Sequence, residues 1–268
     1  ADVAVAVDDA DFADRSRAGW LGQLVGAAAG TALEGYSAEN IMKVFGSIRS
    51  YVREPNTYND DITFEIAFLE AFADKGHAVS GADISERWTS MIPMGWSAEA
   101  IALANIRRGL LPPETATTDN PFDEWIGAQM RGAICGMVAP GRAREAARLA
   151  WIDGAVSHAA NGILGEVFNA VLAARAFTRH DTVSLLEETV ALFSTESEYG
   201  QVLAFALDAC RTEPDWQSAW ARCDAKYVEY NWIHAYPNAA AQVVALWFGE
   251  GDFERTLEIV CGIGHDVD

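Results

Sequence analysis

The stretch that decides the fold is Asn59-Asp60-Asp61-Ile62-Thr63-Phe64-Glu65-Ile66-Ala67-Phe68-Leu69-Glu70-Ala71-Phe72. Its apolar residues recur at the three- and four-residue spacing of a helix that buries one face. The residues on that face are Phe64, Phe68, Leu69 and Phe72. At its start, Asn59 and two adjacent aspartates stand where a polar loop gives way to the apolar run. These three residues are either favoured helix-capping residues or oxygen ligands for a hard divalent cation.

The same helical pattern recurs along most of the chain. An earlier stripe from Trp20 to Leu33 is rich in Gly and Ala, so another backbone can approach it closely. Later helices are predicted at residues 83–91, 97–109, 123–138, 142–153, 160–178, 182–193, 197–211, 215–229, 237–248 and 252–262. No stretch shows the sustained alternation and tight turns of strands and hairpins. The sequence therefore predicts an all-α fold, a single compact orthogonal domain of about ten or more helices.

Composition limits the classes of partner. The 268 residues carry 19 Lys and Arg against 39 Asp and Glu, a formal charge of −20, which opposes binding to nucleic acid or to an anionic membrane. Residues 1–16 are expected to be a loosely ordered acidic leader without the features of a secretory signal, and residues 17–268 the all-α domain. No apolar run reaches the length of a membrane span. Four widely spaced cysteines suggest buried thiols, so we expect a cytoplasmic protein.

Two further acidic groups are candidates for chemistry. Glu34 lies in the apolar context Gly30-Thr31-Ala32-Leu33-Glu34-Gly35. A carboxylate there is costly unless it is paired or functional, although it could also lie on the solvent side of a helix end. Asp266-Val267-Asp268 follows Gly264-His265, and a turn of this form can direct both carboxylates at one ion. The alternative for this pair is a solvated acidic tail.

Three polar or aromatic segments have equally open interpretations. Gly127-Ala128-Gln129-Met130-Arg131 is either a surface where backbone approaches a phosphate or a helix-packing seam with Arg131 in an internal ion pair. His158, in a polar island between two apolar helices, is either functional or a hydrogen-bonded structural residue. The aromatic segment Tyr230–Asn238, which includes Tyr236, is either core edge or a ring platform beside a base or ribose. No motif for nucleoside triphosphate hydrolysis, dinucleotide binding or serine hydrolysis is present.

Taken in order, five motifs resemble the ADP-ribosylglycohydrolase family, of the dinitrogenase-reductase-activating type. The chain is similar to that family's Gly-rich helix followed by a Glu, its T-D-D-T, its N-G-A-x-M-R, its His segment and its G-G-D-T-D-T. The matching segments are Gly26–Gly35, Asn59–Ile62, Ile126–Arg131, Val156–His158 and Gly264–Asp268. This ordered agreement extends along essentially the whole chain from Trp20.

The resemblance implies an all-α hydrolase with two Mg²⁺ ions, or Mn²⁺ in some members, that cleaves a glycosidic bond of ADP-ribose on a protein side chain or small molecule. It implies the metal ligands Asn59, Asp60, Asp61, Asp266 and Asp268. Catalysis is expected from Glu34, Asp60, Asp61 and Asp266, and substrate binding from Gly127, Ala128, Gln129, His158 and Tyr236. The ions would hold ribose hydroxyls and activate a water.

The motifs also depart from the family pattern. Asn59 and Ile62 stand where the family has Thr, Thr31 stands for an Asp, and Val267 replaces a Thr. Family members continue beyond the position of Asp268, so a C-terminal segment is expected to be missing. These departures keep two alternatives open: hydrolysis of another ribosyl or N-glycosyl substrate, and binding of ADP-ribose or a nucleotide without turnover.

Overall fold

The computed structural model describes residues 2–3, 5–6, 10–55 and 58–268. Within these ranges all regular structure is helical apart from isolated β-bridge residues, such as Ser37 and Gly264. The helices are α1 (Ala10–Gly30), α2 (Ala38–Val44), α3 (Asp60–Lys75), α4 (Gly81–Met91), α5 (Ser97–Arg107), α6 (Glu114–Thr117), α7 (Gly127–Met130), α8 (Ala133–Met137), α9 (Ala143–Gly154), α10 (Ala160–Ala176), α11 (Thr182–Val190), α12 (Glu198–Thr212), α13 (Trp216–Tyr227), α14 (Ala235–Gly249) and α15 (Phe253–Ile263). A short 3-10 helix, Gly76–Ala78, follows α3. The prediction of an all-α fold is confirmed.

The chain divides into two compact units, and the first contains the N-terminal residues through Ala13 together with Asp60–Thr178. Its central helix is α10, which packs against α7, α8 and α9. Gly136 on α8 permits this close packing, because a Cβ there would lie 2.2 Å from the carbonyl oxygen of Ala170. In the same unit α3 packs against α4, with the ring of Phe64 against that of Trp88 at 4.5 Å between centroids.

The second unit contains Asp14–Asn59 and Arg179–Asp268. Its central helix is α14, which packs against α11, α12, α13 and α15. The small residues Ala239, Ala240 and Ala241 on α14 are buried and let these neighbours approach. The C-terminal segment is anchored in an apolar cluster beside α1 and α15 through Val267. The buried members of this cluster are Ala29, Leu33, Ile41, Ile48, Cys261 and Val267.

Helix α1 begins earlier than the apolar stripe that starts at Trp20 in the sequence. It starts at Ala10, within the expected leader at residues 1–16, and Phe12 stacks on Phe177 at 5.6 Å between ring centroids. Residues 1, 4 and 7–9 of the expected leader lie outside the described residues. No described helix combines the length and the apolar character that a bilayer span requires.

Two local predictions are also corrected. The helix expected at 123–138 is two short helices, because the chain turns at Arg131-Gly132, where the Arg131 side chain enters a buried ionic network. The sequence also indicates Ser97 as the N-cap of the helix at 97–109, but Trp96 holds the cap position of α5. The remaining later helices agree with their predicted bounds to within about three residues.

Candidate functional site

The C-terminal segment pairs with the segment that follows α1. The backbone nitrogen of Gly35 donates to the carbonyl oxygen of His265 at 3.0 Å, and the nitrogen of His265 donates to the oxygen of Tyr36 at 3.0 Å. Gly264 lies at φ +79°, and a Cβ there would be 2.1 Å from the oxygen of Tyr36. This pairing brings Glu34, one residue before Gly35, beside the end of the chain.

The end of α1 supports the same segment from another side. A Cβ at Gly30 would lie 1.9 Å from the carbonyl oxygen of Val267, so only glycine permits this approach. The close backbone approach predicted for the Gly-rich helix is confirmed here. Val267 is 6% exposed and packs in the apolar cluster, so the Asp266-Val267-Asp268 segment is anchored and is not a solvated tail.

Three carboxylates meet in this region. One oxygen each from Glu34, Asp266 and Asp268 lies within 4.8 Å of the other two. Glu34 is exposed, whereas the two aspartates are half-buried. Like charges this close disfavour one another unless a cation or protons neutralise them, and carboxylate oxygens are the ligands that Mg²⁺ prefers. The structure therefore brings together the three expected site residues of this unit that carry carboxylates.

Asn59 reaches this cluster through its amide nitrogen. Its Nδ2 donates to Oδ2 of Asp268 at 3.0 Å. Thr31 Oγ1 lies 3.4 Å from the same oxygen, but it also lies 2.6 Å from the carbonyl oxygen of Ala27, which takes its single hydrogen. Asn59, expected from the sequence to be an oxygen ligand, therefore stabilises the Asp268 carboxylate in this arrangement.

Sequence reasoning missed two residues that shape the cluster, Asn238 and Trp232. Asn238 is 5% exposed, and its Oδ1 accepts from the backbone nitrogen of Asp266 at 3.2 Å. Its Nδ2 donates to the carbonyl oxygens of Trp232 and His234 at 2.8 and 2.9 Å. The Trp232 ring would be 3.6 Å from a Cβ on Gly35 and is 37% exposed. The available sequence signal for Asn238 was a polar amide within an Ala-rich, apolar helical segment, because a polar group in such a segment needs hydrogen-bond partners once it is buried.

Tyr236 lies deeper than a ring platform would require. It is 2% exposed, its hydroxyl donates to Glu198 Oε2 at 2.6 Å, and its ring packs against Tyr230 and His234. The structure therefore places Tyr236 at the edge of the core. Trp232 is the exposed ring of this segment that contacts Gly35.

In the first unit, Asp60 and Asp61 occupy the first turn of α3, where negative charge suits the helix dipole. Glu99 on α5 lies close enough to Asp60 for their charges to interact. Burial raises the pKa of Glu99 to about 7; Arg131 opposes the shift and Asp60 adds to it.

Arg131 forms the internal ion pairs that one reading of its segment expected. Its Nε donates to Asp153 at 2.6 Å, its Nη1 to Glu99 at 2.8 Å and its Nη2 to Ser157 at 2.9 Å. Burial lowers the Arg131 pKa, but the neighbouring carboxyl groups, Asp153 first among them, outweigh burial and raise it. The guanidinium is therefore a permanent buried cation.

The expected substrate-binding residues of this unit are also buried. Ala128 and Gln129 are 0% and 3% exposed, and a Cβ at Gly127 would lie 1.9 Å from Glu99 Oε1. His158 Nδ1 lies 2.8 Å from Ser157 Oγ, and burial together with Arg131 lowers the His158 pKa well below its usual value. His158 is therefore a neutral, hydrogen-bonded residue of the interior.

The comparisons with known proteins agree with one another. The family model described as ADP-ribosylglycohydrolase matches residues 8–268. A solved structure, an "ADP-ribosylglycohydrolase-related protein complex", matches with a TM-score of 0.71 at 19% identity, covering 96% of this chain and 83% of that one. At this identity the structural match supports the fold alone, a single all-α domain. No curated protein matches the chain. The family model covers nearly the whole length, so the chain belongs to the ADP-ribosylglycohydrolase family.

Proposed function

We propose that this protein is a Mg²⁺-dependent hydrolase of a glycosidic bond of ADP-ribose, acting on an ADP-ribosylated protein or small molecule. The observation that carries the proposal is the cluster of Glu34, Asp266 and Asp268, whose oxygens lie within 4.8 Å of one another. Family membership supports the ADP-ribose substrate class. Two carboxylates on a turn held by backbone hydrogen bonds form a rigid half-site for a hard cation.

The donor set fits Mg²⁺ better than it fits a softer metal. All three clustered side chains offer carboxylate oxygens, and no Cys or His belongs to the group. When bound, Mg²⁺ acts as a Lewis acid toward substrate oxygens. The resemblance assigns Asn59, Asp60 and Asp61 to the same metal centre, with Mn²⁺ as a possible substitute. That part of the ligand set stays a prediction.

The chain's own residues define the rest of the chemistry. Glu34 is exposed and lies next to two half-buried aspartates, so its carboxylate can accept a proton from a water molecule at the cluster. Asn238 fixes the backbone nitrogen of Asp266, and Asn59 holds Oδ2 of Asp268. These bonds hold the two aspartates in place beside the exposed carboxylate of Glu34.

The metal assignment is tested by titration calorimetry with Mg²⁺ alone. Asp266→Asn and Asp268→Asn are expected to weaken Mg²⁺ binding at least about tenfold, because each removes a charged oxygen ligand. Asp215→Asn is the matched control. Asp215 is an exposed N-cap of α13, and Asn caps equally well. Unchanged Mg²⁺ affinity in both site variants would refute the metal assignment.

The activity is tested by chromatography of ADP-ribose released from conjugates linked through arginine, serine or a small molecule. Mg²⁺-dependent release is expected from at least one conjugate, and Glu34→Gln is expected to abolish it. A second function has a specific observation in its favour: Val267, at a position where the family motif has Thr, is buried against Gly30. Tight ADP-ribose binding without turnover of any conjugate would establish a binding role instead.

A further inference from the structure

Tyr36 belongs to the same turn as Glu34, at the edge of the acidic cluster. The backbone nitrogen of Tyr36 donates to the carbonyl oxygen of Leu33 at 3.1 Å, and this bond closes a turn that contains Glu34. The carbonyl oxygen of Tyr36 accepts from the nitrogen of His265 at 3.0 Å. Helix α2 begins two residues later. The start of α2 is therefore tied to the turn of Glu34 and to the residue before Asp266.

The inner face of α2 is fixed to the same C-terminal segment. Ile41 is 1% exposed and belongs to the apolar cluster that includes Val267. A Cβ at Gly264 would lie 2.8 Å from Cδ1 of Ile41, so the helix lies directly against this segment. The outer side of α2 is consequently held in a fixed position relative to Asp266 and Asp268.

Three large apolar side chains are exposed on this outer side, and we call them the Tyr36 patch. Tyr36 is 38% exposed, Met42 51% and Phe45 38%. The rings of Tyr36 and Phe45 meet edge to face at 5.9 Å between centroids. Met42 and Phe45 are three residues apart, so their side chains are neighbours on one side of the helix. Together they form an apolar surface that begins two residues from Glu34.

The composition and the position of the Tyr36 patch favour a protein as its partner. Aromatic residues and Met are enriched at protein–protein interfaces, and clustered exposed apolar side chains mark interaction sites. A small molecule is bound in a concave cleft around the reacting bond, whereas this patch extends away from the acidic cluster along the outside of α2.

Proximity identifies which protein would meet the patch. Two residues of chain span at most about 7 Å, so the backbone of Tyr36 lies within that distance of Glu34. A protein whose modified side chain reaches Glu34 must place its neighbouring residues against the surface around the acidic cluster. The Tyr36 patch is part of that surface.

We propose that the Tyr36 patch binds the acceptor protein of an ADP-ribosylated conjugate, through apolar side chains next to the modified residue. This inference rests on the proposed function and narrows its substrate class to modified proteins. The patch contacts the acceptor and not the reacting atoms. It therefore determines which conjugates bind, and cleavage of the bond is left to the acidic cluster.

The test compares steady-state release of ADP-ribose from two conjugates of the same linkage, one on a folded protein and one on the free amino acid. The wild type is expected to have a kcat/KM at least about tenfold higher for the protein conjugate. Met42→Ser and Phe45→Ser are expected to remove most of this preference by raising KM for the protein conjugate at unchanged kcat. With the free amino acid conjugate, both variants are expected to stay within about threefold of the wild type.

Val44→Ser is the matched control on the same helix. Val44 is 60% exposed, but it lies one residue before Phe45 and two after Met42, so its side chain leaves the helix in another direction. It is expected to leave both conjugates unaffected. Met42→Ser keeps the test decisive if Phe45→Ser does not fold, because Met42 is more than half exposed and surface substitutions of this kind change stability little.

Three results would overturn the inference: equal kcat/KM of the wild type for the two conjugates, a KM for the protein conjugate in Met42→Ser equal to that of the wild type, or parallel losses on both conjugates in that variant. Parallel losses would mark a structural role of the patch. A loss in Val44→Ser as large as that in Met42→Ser would also contradict the assignment to this side of α2. A wild type that releases ADP-ribose from no conjugate refutes the proposed function, and the inference falls with it.

Discussion

The backbone nitrogen of Gly35 donates to the carbonyl oxygen of His265 at 3.0 Å, and this bond joins the residue after Glu34 to the residue before Asp266. The acidic cluster therefore depends on backbone pairing between two segments that are remote in sequence. Glycines at positions 30 and 264 allow the pairing, since a Cβ at either would lie within about 2 Å of a carbonyl oxygen. Changes that add no charge and remove no carboxylate can consequently disturb metal binding.

Gly30→Ala is expected to lower the free energy of unfolding by about 1–3 kcal/mol and to weaken Mg²⁺ binding, because the new methyl group would collide with Val267. The collision shifts the Val267 backbone and so moves the aspartates on either side of it. Chemical denaturation and Mg²⁺ calorimetry measure the two effects.

Gly26→Ala is the matched control on the same helix, one turn earlier. Apart from the backbone of its own helix, no atom of the described residues lies within 4 Å of a Cβ at Gly26, so the substitution is expected to leave Mg²⁺ affinity unchanged. Alanine's higher helix propensity is expected to add up to about 1 kcal/mol to stability. Equal Mg²⁺ affinities in the Gly26 and Gly30 variants would contradict the close-approach argument.

Mg²⁺ is expected to stabilise the folded protein, because the unfolded chain does not bring Glu34, Asp266 and Asp268 together. At a free Mg²⁺ concentration 100 times the Kd, the gain in unfolding free energy is about 2.7 kcal/mol. Differential scanning fluorimetry with and without chelator measures it. The Asp266→Asn variant is expected to show little of this shift, and a full shift in that variant would argue against the cluster as the binding site.

Local sequence signals predicted most of the fold. The apolar spacing predicts the helices. Asp181, an Asp directly before the predicted helix 182–193, caps α11 by accepting from the backbone nitrogen of Ser184 at 2.7 Å. The failures have long-range causes. The helix predicted at 123–138 is interrupted at Arg131-Gly132, where partners from distant helices hold the Arg131 guanidinium. Helix propensity depends on local sequence and cannot reveal those partners.

The carboxylate residues of the candidate acidic cluster could be predicted from the sequence. Glu34, Asp266 and Asp268 are unusual carboxylates in apolar or terminal contexts, and the structure brings them together. Asn238 and Trp232 lie in the candidate segment Tyr230–Asn238 but were not singled out, because their roles arise from tertiary contacts. Asn238 accepts a hydrogen bond from the Asp266 backbone nitrogen, and the Trp232 ring lies close to Gly35. Such roles leave no periodicity or motif in the sequence.

Glu166 gives a prediction for the pH dependence of stability. Burial raises its pKa well above the ordinary value of 4.5; nearby Asp153 adds to the shift, and Arg131 opposes it. Above about pH 4.5 the unfolded chain releases this proton while the folded protein keeps it, so the group lowers stability progressively as pH rises. Glu166→Gln has no ionisable group at this position. Its free energy of unfolding is therefore expected to increase relative to that of the wild type from pH 5 to pH 8.

Denaturant titrations at several pH values measure this gain, which can reach about 1.4 kcal/mol per pH unit. Gln keeps a donor that can face Asp153, so the buried contact is preserved. Glu229→Gln, which changes an exposed carboxyl outside the helices, is the control. A stability difference between Glu166→Gln and the wild type that follows the control at every pH would mean that Glu166 is ionised in the folded protein.

Asn238 is expected to be the most sensitive neutral residue around the acidic cluster. Asn238→Ala leaves the nitrogen of Asp266 and the carbonyl oxygens of Trp232 and His234 without their partner. Each buried polar group that is left without a hydrogen-bond partner costs about 1–3 kcal/mol of stability. Asp266 also loses the hydrogen bond that fixes its backbone. Lower stability together with weaker Mg²⁺ binding is therefore expected from denaturation and calorimetry.

Asn238→Asp separates the two roles of this amide. The carboxylate still accepts from the Asp266 nitrogen but cannot donate to the two carbonyl oxygens, so stability is expected to fall while more of the Mg²⁺ affinity is retained than in Asn238→Ala. Asn231→Ala is the control, because Asn231 is exposed and, among the residues that the structure describes, its side chain bonds only the nearby nitrogen of Ile233 in the same loop. If Asn238→Ala binds Mg²⁺ as tightly as Asn231→Ala does, the acidic cluster does not depend on this support, and the backbone pairing of Gly35 with His265 is sufficient to hold Asp266 in place.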